Sequence, residues 1–404
     1  MVITGLGIAS PIGNSLAEVE QSLRTMRHGI MNMPAWDSCP HLRTRLGGAV
    51  TGVERSAFPR KAVRTMGRVG VLSLFATDQA IADAKLLPEA LRSGRTGLAY
   101  GSTHGSSSEQ EIFVRKLFSG QGLLEIESNA YLRFMSHTCA TNLAAHYGIR
   151  GRIITTCAAC VSASQAIGFG YEAIRFGLQD VMLCGGAEEL HFTHAAIFDL
   201  LFATSTHYNN RPECSPRPFD EQRDGLVVSE GAATLVLESL EHATARGAPV
   251  YAEVTGYGTN CDGSHVTNPS AEGMAEAMRL ALMDAGLGPE AIDYVNAHAT
   301  ATEAGDIAES QATLAALGSG VPVSSTKSYT GHTLGAAGGV ESIHCLLMMR
   351  GGFVAPTRNL DKVDPRCAPL DYVREEPRQL RLDCVMNNNF AFGGINTSLI
   401  FRRL

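Results

Sequence analysis

The segment VITGLG at residues 2–7 is similar to EVTGYG at residues 253–258. A second pair behaves in the same way: DAKLLPEA at residues 83–90 matches DAGLGPEA at residues 284–291, and each ends a helical stretch and precedes a strand-like run. The order of the pieces is kept in both copies, whereas the spacing between them differs. We therefore expect two copies of one α/β unit, the first with longer insertions, although common helix-exit sequences also resemble one another by chance.

Strand-like and helical stretches alternate along the chain. The helical patterns are residues 69–84, 161–177, 272–285 and 334–349, and the apolar runs that indicate strands are residues 2–7, 97–101, 153–156, 180–183, 232–238, 294–297 and 397–401. This alternation predicts α/β layers with largely buried sheets. No Pro/Ser-rich linker divides the chain, and we expect two halves, residues 1–240 and 241–404.

The composition excludes several classes of protein. Of the 404 residues, 45% are hydrophobic and 18% are charged, which is typical of a globular chain and not of a disordered one. Polar residues interrupt every apolar stretch before it reaches the roughly 18–20 residues of a membrane span, and the first residues lack the basic start of a signal peptide. The net charge of −7 argues against nucleic acid as a partner. Ten irregularly spaced cysteines favour reduced thiols, so we expect a cytoplasmic protein.

A candidate nucleophile, Cys160, lies where a β-branched strand meets a helix, in IITTCAACVSAS at residues 153–164. A thiol near a helix N-terminus feels the positive end of the helix dipole, which favours the thiolate. Most cysteines are buried structural residues, so position alone does not decide between a nucleophile and a structural thiol. Cys157 and Cys160 have CxxC spacing, but a zinc site would need a second CxxC or an HxxxH, and neither is present.

Two histidines, His298 and His332, lie at strand ends in small-residue loops. Taken singly, each is more often a hydrogen-bonded core or surface residue. Together with Cys160 at equivalent exits of a duplicated fold, they form a more specific set that points into a common cleft. The Gly-rich stretches at residues 185–186 and 392–394 follow strands without matching a nucleotide-binding motif. Backbone N–H groups of the second stretch are candidate donors to an oxyanion.

Five longer motifs agree in order and spacing with the β-ketoacyl-acyl-carrier-protein synthases, which are condensing enzymes of the thiolase superfamily. They are the nucleophile segment ending in GGAEE at 185–189, RPFDEQRDG at 217–225, VNAHATAT at 295–302, SSTKSYTGHTLGAAGGVES at 324–342 and NNNFAFGGINTSL at 387–399. The likeness extends over essentially the whole chain. The sequence resembles the elongating branch, which has one Cys and two His. The branch that starts from coenzyme A esters has His and Asn instead, and thiolases have a second catalytic Cys.

This resemblance implies a thiolase-like α/β fold, in which duplicated βαβαβαββ halves stack in five layers, α-β-α-β-α. The helix after Cys160 would lie in the central layer. Residues 1–240 would carry the nucleophile, and residues 241–404 the two catalytic histidines. The resemblance also implies an obligate dimer with residues 131–148 near the interface. The dimer would be a homodimer or a heterodimer with a related ketosynthase-like subunit.

The resemblance also implies a reaction. Cys160 would accept the acyl group, while His298 and His332 would donate hydrogen bonds to the malonyl thioester carbonyl and stabilise the enolate formed on decarboxylation. The chain would be a 3-oxoacyl-[acyl-carrier-protein] synthase, an acyltransferase of fatty-acid, polyketide or aryl-polyene elongation. These residue types suit that chemistry, because a covalent thioester needs a soft nucleophile and an enolate needs neutral donors aimed at one oxygen.

Further residues match supporting positions of the family. Lys327 and Glu341 match the supporting residues near His332, and they also suit a buried ion pair. Thr300 and Thr302 match the hydroxyls that hold phosphopantetheine. Phe392 matches the gate, and its backbone N–H, together with that of Cys160, matches the oxyanion hole. Neither a cofactor nor a metal of the protein's own is expected, because phosphopantetheine arrives on the carrier protein.

Two departures from the family pattern lie at the mouth of the implied site. Ala299 follows the first histidine where the family usually has Gly, and Ala391 stands between Phe390 and Phe392 where Gly is usual. An added Cβ restricts φ and is expected to stiffen both loops, which puts a housekeeping role in fatty-acid synthesis in doubt. The alternatives are a non-catalytic partner of the chain-length-factor type, against which the retained Cys and His residues argue, and a degradative thiolase, which would need a second catalytic Cys.

A basic run, RKAVRTMGR at residues 60–68, stands out on this acidic chain. Helical spacing would place Lys61, Arg64 and Arg68 on one face, three and four residues apart. The run resembles the carrier-docking segment of the family at Lys61 and Arg64. We therefore expect an acidic acyl carrier protein to dock there, with an ordinary solvated helix face as the alternative.

Overall fold

The computed structural model describes residues 1–120 and 122–404. Its strands are β1 (Val2–Ala9), β2 (Ile30–Asn32), β3 (Leu46–Gly48), β4 (Thr96–Gly101), β5 (Ile153–Thr156), β6 (Val181–Glu188), β7 (Val228–Ser229), β8 (Gly231–Glu238), β9 (Ala252–Cys261), β10 (Tyr294–Asn296), β11 (Pro322–Ser324), β12 (Phe353–Val354), β13 (Asp371–Tyr372), β14 (Arg378–Gln379), β15 (Cys384–Ala391) and β16 (Ile395–Arg402). Its α-helices are α1 (Leu16–Arg24), α2 (Arg60–Val63), α3 (Arg68–Ala84), α4 (Pro88–Arg92), α5 (Ser107–Leu117), α6 (Tyr131–Phe134), α7 (Thr138–Tyr147), α8 (Ser162–Arg175), α9 (Phe192–Leu200), α10 (Leu240–Ala245), α11 (Ala271–Ala285), α12 (Glu303–Leu317), α13 (Lys327–Thr330) and α14 (Ala337–Gly351).

The large sheet consists of two parts with the same topology. The strand order β1-β8-β6-β4-β5 of the first part is matched by β9-β16-β15-β10-β11 in the second, with β13 added at the outer edge. In both parts the first three strands pair antiparallel and the last three pair parallel. The parts join where β1 pairs antiparallel with β9, through Val2 with Glu253 and Ile3 with Ala252. This equal strand order confirms the duplication that the repeated segments predict.

Two buried helices lie between the sheet parts. Helix α8 contacts β4 and β6, helix α14 contacts β8 and β15, and the two helices contact each other. Every residue from 337 to 349 in α14 is buried. On the other faces α3 packs against β1 and β8, and α11 packs against β9 and β16. The arrangement gives the layers α-β-α-β-α and confirms the thiolase-like fold.

Glycines in the repeated segments let a helix lie directly on a strand. A Cβ at Gly7 of β1 would lie 1.9 Å from the carbonyl oxygen of Ala76 in α3, and a Cβ at Gly258 of β9 would lie 2.1 Å from the carbonyl oxygen of Ala277 in α11. Both obstacles are backbone atoms, which no rotamer change can move. Both copies of the repeat therefore have a glycine on the strand, because a small-residue helix packs directly on it.

Some element boundaries differ from the sequence expectation. The sequence places Gly185 and Gly186 after a strand, but β6 continues through them to Glu188. A Cβ at Gly185 would lie 1.9 Å from the carbonyl oxygen of Ala233 in the neighbouring strand, so this glycine serves the sheet and not a turn. Helix α14 begins at Ala337, later than expected, because residues 334–336 form a 3₁₀ turn.

Two expectations concern the chain as a whole. Within residues 1–120 and 122–404, no helix has the length and apolar character that crossing a bilayer requires. The division into residues 1–240 and 241–404 stays a prediction.

The strand glycines give a stability prediction. Gly7→Ala and Gly258→Ala should each lower the free energy of unfolding by about 2 kcal/mol or more, because the added methyl group overlaps backbone that must shift. Gly320→Ala is the matched control, since a Cβ there meets nothing within 4 Å, and it should change stability by less than about 0.5 kcal/mol. Urea unfolding measures all three, and equal stabilities would contradict the proposed role of the repeat.

Candidate active site

The three residues of the expected site follow parallel strands. Cys160 lies between β5 and α8, His298 follows β10, and His332 lies between β11 and α14. Because β5 and β11 hold the same place in the two sheet parts, Cys160 and His332 precede the two central helices at equivalent positions. The duplicated fold therefore brings residues that are far apart in sequence to the contact between α8 and α14.

These three side chains are in close contact. Nε2 of His332 lies 2.9 Å from Sγ of Cys160. The ring of His298 stands nearly perpendicular to that of His332, with 5.2 Å between the centroids. The sulfur and one nitrogen of each ring all lie within 4.8 Å of one another, and all three residues are buried. Cys and His are also the ligands that zinc prefers, so the same group has the composition of a metal site.

A cavity of about 410 Å³ opens onto the three residues. Thr300 and Thr302 line it, with their hydroxyl oxygens 3.1 Å apart. Phe392, in the turn between β15 and β16, lines it too, and its ring packs against Phe198 with 5.4 Å between centroids. The structure thus places the two threonines and the expected gate around one space with the Cys-His-His group.

Burial dominates the electrostatics of the group. It lowers the pKa of His298 and of His332 well below the ordinary value, and the charge of Lys327 lowers both further. It also raises the pKa of the Cys160 thiol to about 12, against the opposing effect of Lys327. The resting site therefore holds two neutral imidazoles and a protonated thiol. Burial therefore opposes the thiolate that the position near a helix N-terminus favours.

The ring tautomers follow from the partners of the histidines. Nδ1 of His298 and Nδ1 of His332 are buried and have no hydrogen-bond partner in the described part of the chain. An unpaired buried N–H is rarer in proteins than an unpaired acceptor, so Nδ1 is bare and Nε2 carries the proton in both rings. Nε2 of His332 then donates to the sulfur of Cys160. The site presents two neutral N–H donors to one cavity.

Lys327 and Glu341 form a buried ion pair behind the histidines. Lys327 Nζ donates to Glu341 Oε1, and Nδ2 of Asn389 donates to the other carboxylate oxygen at 2.6 Å. Neither residue of the pair is among those that line the cavity. The expected supporting pair therefore exists, and Lys327 acts on the histidines through its charge.

Two carboxylates that the sequence reasoning missed hold the loops of the site. Glu309 of α12 accepts the backbone N–H groups of His298 and Ala299 at 2.7 and 2.6 Å, and burial raises its pKa to about 8. Glu188 accepts the backbone N–H groups of Thr103 and Gly335 at 2.8 and 3.0 Å. The signal that would have found them is a glutamate directly after a small residue next to the site segments: GDIAES around Glu309 and GGAEE around Glu188.

The two alanines at the mouth of the site fit without backbone strain. Ala299 and Ala391 are absent from the non-glycine residues with positive φ. Ala301 in the same loop adopts φ 69°, and its N–H donates to Asp306 at 3.1 Å. A Cβ at 299 or 391 therefore costs the loops no unfavourable conformation.

The basic run is divided by a turn. Helix α2 ends at Val63, and α3 begins only at Arg68. Lys61 and Arg64 are exposed, but Arg68 pairs with Glu230 at 2.7 Å and donates to backbone carbonyls of residues 50 and 53. The expected single face of three basic residues is therefore wrong for Arg68. Its guanidinium holds this turn to the body of the protein, whereas the side chains of Lys61 and Arg64 are exposed.

The Cys-His-His group is buried, lines one cavity and lies at the junction of two duplicated α/β halves. These features define a condensing enzyme of the thiolase-like fold. The chain matches the family descriptions "Beta-ketoacyl synthase, N-terminal domain" over residues 1–243 and "Beta-ketoacyl synthase, C-terminal domain" over residues 251–361. The chain belongs to the β-ketoacyl synthase family.

Full-length relatives support this assignment. The 3-oxoacyl-[acyl-carrier-protein] synthase 1 of Haemophilus influenzae is 39% identical over 403 residues, covering 100% of this chain and 98% of that protein. A crystal structure of a β-ketoacyl synthase from Burkholderia phymatum is 50% identical with a TM-score of 0.96, covering 100% and 99% of the two chains. The ishigamide ketosynthase/chain length factor is 33% identical with a TM-score of 0.93, covering 100% and 98%. The family predicted from sequence is confirmed.

The buried ion pair gives a second stability prediction. Lys327→Met leaves Glu341 charged and unpaired in the interior, which should lower the free energy of unfolding by about 3–5 kcal/mol. Adding Glu341→Gln removes the stranded charge and keeps a partner for Asn389, so the double variant should recover at least half of the loss. Urea unfolding of both variants measures this. If the double variant were less stable than Lys327→Met, the unpaired charge of Glu341 would not be the cause of the loss in the single variant.

Proposed function

We propose that this chain is a 3-oxoacyl-[acyl-carrier-protein] synthase, which condenses an acyl group held on Cys160 with malonyl-acyl-carrier-protein and releases CO₂. The observation that carries the proposal is the meeting, at one cavity, of a thiol and two neutral imidazole donors from His298 and His332. The names of the family and of its full-length relatives support it.

In the first half-reaction the sulfur of Cys160 attacks the carbonyl carbon of an acyl thioester. A C–S bond to Cys160 forms, the C–S bond to pantetheine breaks, and the cysteine proton leaves on the pantetheine sulfur. We assign the backbone N–H groups of Cys160 and Phe392 to the intermediate oxyanion. Ala159 supports this role, because its φ of 49° turns the chain sharply just before the nucleophile, and such strain gathers at functional sites.

In the second half-reaction a malonyl thioester occupies the cavity. The bond to its carboxylate carbon breaks, CO₂ leaves, and the electron pair moves onto the thioester oxygen as an enolate. The Nε2–H groups of His298 and His332 donate to that oxygen from buried positions, where such donors are most effective. The enolate carbon then attacks the acyl carbonyl, and the sulfur of Cys160 leaves. The charge of Lys327 helps to keep both donors neutral.

The reaction needs no resident cofactor or metal. We assign Thr300 and Thr302 to the phosphopantetheine arm, because both residues line the same cavity as Cys160. A zinc ion on the Cys-His-His group would occupy the sulfur and nitrogens that the two half-reactions use. The ten free cysteines support a reducing compartment, and we propose the cytoplasm.

The surface supports two kinds of protein partner. Lys61 and Arg64 form an exposed basic patch suited to an acidic acyl carrier protein. Large apolar side chains are exposed between residues 112 and 135, among them Phe118 at 81%, Leu124 at 90% and Tyr131 at 47%. Several exposed apolar side chains in one segment are more than an isolated surface residue, and they support an interface, either of a homodimer or of a heterodimer with a related ketosynthase-like subunit. A non-catalytic chain-length partner is not favoured, since the Cys-His-His group is complete.

Acyl transfer tests the proposed function. Wild-type protein incubated with an acyl-carrier-protein thioester should gain the mass of the acyl group on the peptide that contains Cys160. Cys160→Ala should abolish the adduct and condensation, whereas Cys157→Ala should keep most activity, because Cys157 is exposed and its thiol donates to the carbonyl oxygen of Thr103 at 3.3 Å. A missing adduct in the wild type at every chain length, or loss confined to Cys157→Ala, would contradict the assignment.

Carrier docking gives a further prediction. Lys61→Glu with Arg64→Glu should raise the apparent KM for acyl-carrier protein about tenfold and reduce its salt dependence, because exposed charges steer association. A small pantetheine thioester should react unchanged. Lys85→Glu is the control: this exposed lysine lies beyond the far end of α3, whose 17 residues span about 25 Å. An equal loss on the small thioester would mean that the patch supports the fold or the active site.

A further inference from the structure

The cavity at Cys160 opens to solvent between exposed apolar side chains. Leu201, Phe202 and Val266 line this cavity, and all three are also exposed, so they lie where it meets the surface. Phe202 and its neighbour Leu200 are each 80% exposed. We call Leu200, Leu201, Phe202 and Val266 the apolar rim. Single exposed apolar residues are ordinary in soluble proteins, whereas several beside one opening mark a place where another molecule binds.

Phe202 adopts a backbone conformation that its side chain disfavours. It follows the end of α9, where its N–H donates to the carbonyl oxygen of Asp199 at 3.1 Å. The next N–H, that of Ala203, donates to the carbonyl oxygen of Phe198 at 2.9 Å. These two bonds form a Schellman motif, whose left-handed residue is usually glycine. Phe202 occupies that position with a φ of 55°. A bulky residue at positive φ is an outlier, and such strain gathers at functional sites.

Arg43 holds the ring of Phe202 in place. The guanidinium carbon of Arg43 lies 4.1 Å from the centroid of that ring. Nε and the backbone N–H of Arg43 donate to one carboxylate oxygen of Asp199, at 3.2 and 3.0 Å. Asp199 is buried in α9, so the guanidinium is anchored to the same helix that ends at the ring. The exposed ring is therefore preorganised, and it loses little conformational freedom when a partner covers it.

The reaction determines which molecule reaches the apolar rim. Both half-reactions of the proposed function, on which this inference rests, bring a pantetheine arm that is attached to a carrier protein into the cavity. The surface of the carrier next to the attachment point must then lie at the opening, against the apolar rim. Lys61 and Arg64 supply charge, which mainly steers the approach and is screened by salt. Lasting affinity in an interface comes mostly from buried aromatic and other anchoring side chains.

We propose that the apolar rim is a docking surface for apolar side chains of the acyl carrier protein around the attachment point of its arm, with Phe202 as the anchoring residue. This role accounts for a phenylalanine in a position that favours glycine, because the left-handed turn presents the ring at the opening. The apolar rim and the basic patch of Lys61 and Arg64 then contribute differently. The patch accelerates association at low salt, whereas the rim binds the docked carrier at any salt concentration.

The test removes the ring without adding strain. Phe202→Gly and Phe202→Asn both suit a left-handed residue, so the Tm of each variant should be no lower than that of the wild type. Both should raise the apparent KM for acyl-carrier protein about fivefold or more, and raise it at least about threefold more than the KM for the matching pantetheine thioester. This effect should persist at high salt, unlike that of Lys61→Glu with Arg64→Glu. Phe176→Ala is the control, since Phe176 is an exposed phenylalanine just after α8, and it should leave both KM values unchanged.

Several outcomes would overturn the inference. An unchanged carrier KM in both Phe202 variants would remove the apolar rim from docking, and an equal rise for the small thioester would mean that the ring contacts the arm and not the carrier. A lower Tm in both variants would mean that the ring serves the fold. A changed oligomeric state in size-exclusion chromatography would mean that the rim contacts a second copy of this chain. The inference is separable from the proposed function, because normal acylation of Cys160 with an unchanged carrier KM contradicts only the docking surface, whereas no acylation by any thioester contradicts both.

Discussion

The site depends on the close approach of the two central helices, α8 and α14. A Cβ at Gly338 in α14 would lie 2.6 Å from the backbone nitrogen of Ser164 in α8, so the helices meet with almost no side chain between them. Cys160 and His332 lie just before these helices, and this contact sets the 2.9 Å between sulfur and imidazole. Neither half of the duplicated fold has the complete Cys-His-His group, because Cys160 comes from one half and both histidines from the other.

The same packing controls the charge of the site. Because the central layer is buried, both histidines stay neutral and donate through Nε2 without an acid partner. Lys327 contributes a positive charge close enough to disfavour imidazolium, and Glu341 with Asn389 balances that charge in the interior. A neutral donor pair suits an enolate, since the donors need no proton transfer when negative charge develops. The burial of the central layer therefore accounts for the neutral state of both histidines.

Much of this arrangement could be predicted from the sequence, because the duplication leaves local marks. The strand glycines recur under a strict steric requirement, and Cys160, His298 and His332 stand in small-residue turns. What failed or was missed depends on contacts between distant segments. Gly67 and Arg68 look like the continuation of a basic helix, yet a turn directs Arg68 to Glu230. The two backbone N–H groups that Glu309 binds, for example, cannot be inferred from spacing.

The central claim is that His298 and His332 are both uncharged donors in the resting site. ¹⁵N NMR of protein labelled in its histidine side chains tests this most directly, because the shifts of the two ring nitrogens distinguish the imidazolium from each neutral tautomer. Since burial lowers both pKa values well below the ordinary value, both rings should show the neutral Nε2–H pattern from about pH 8 down to about pH 5.5. An imidazolium signal for either ring near pH 7, or an Nδ1–H tautomer, would contradict the account.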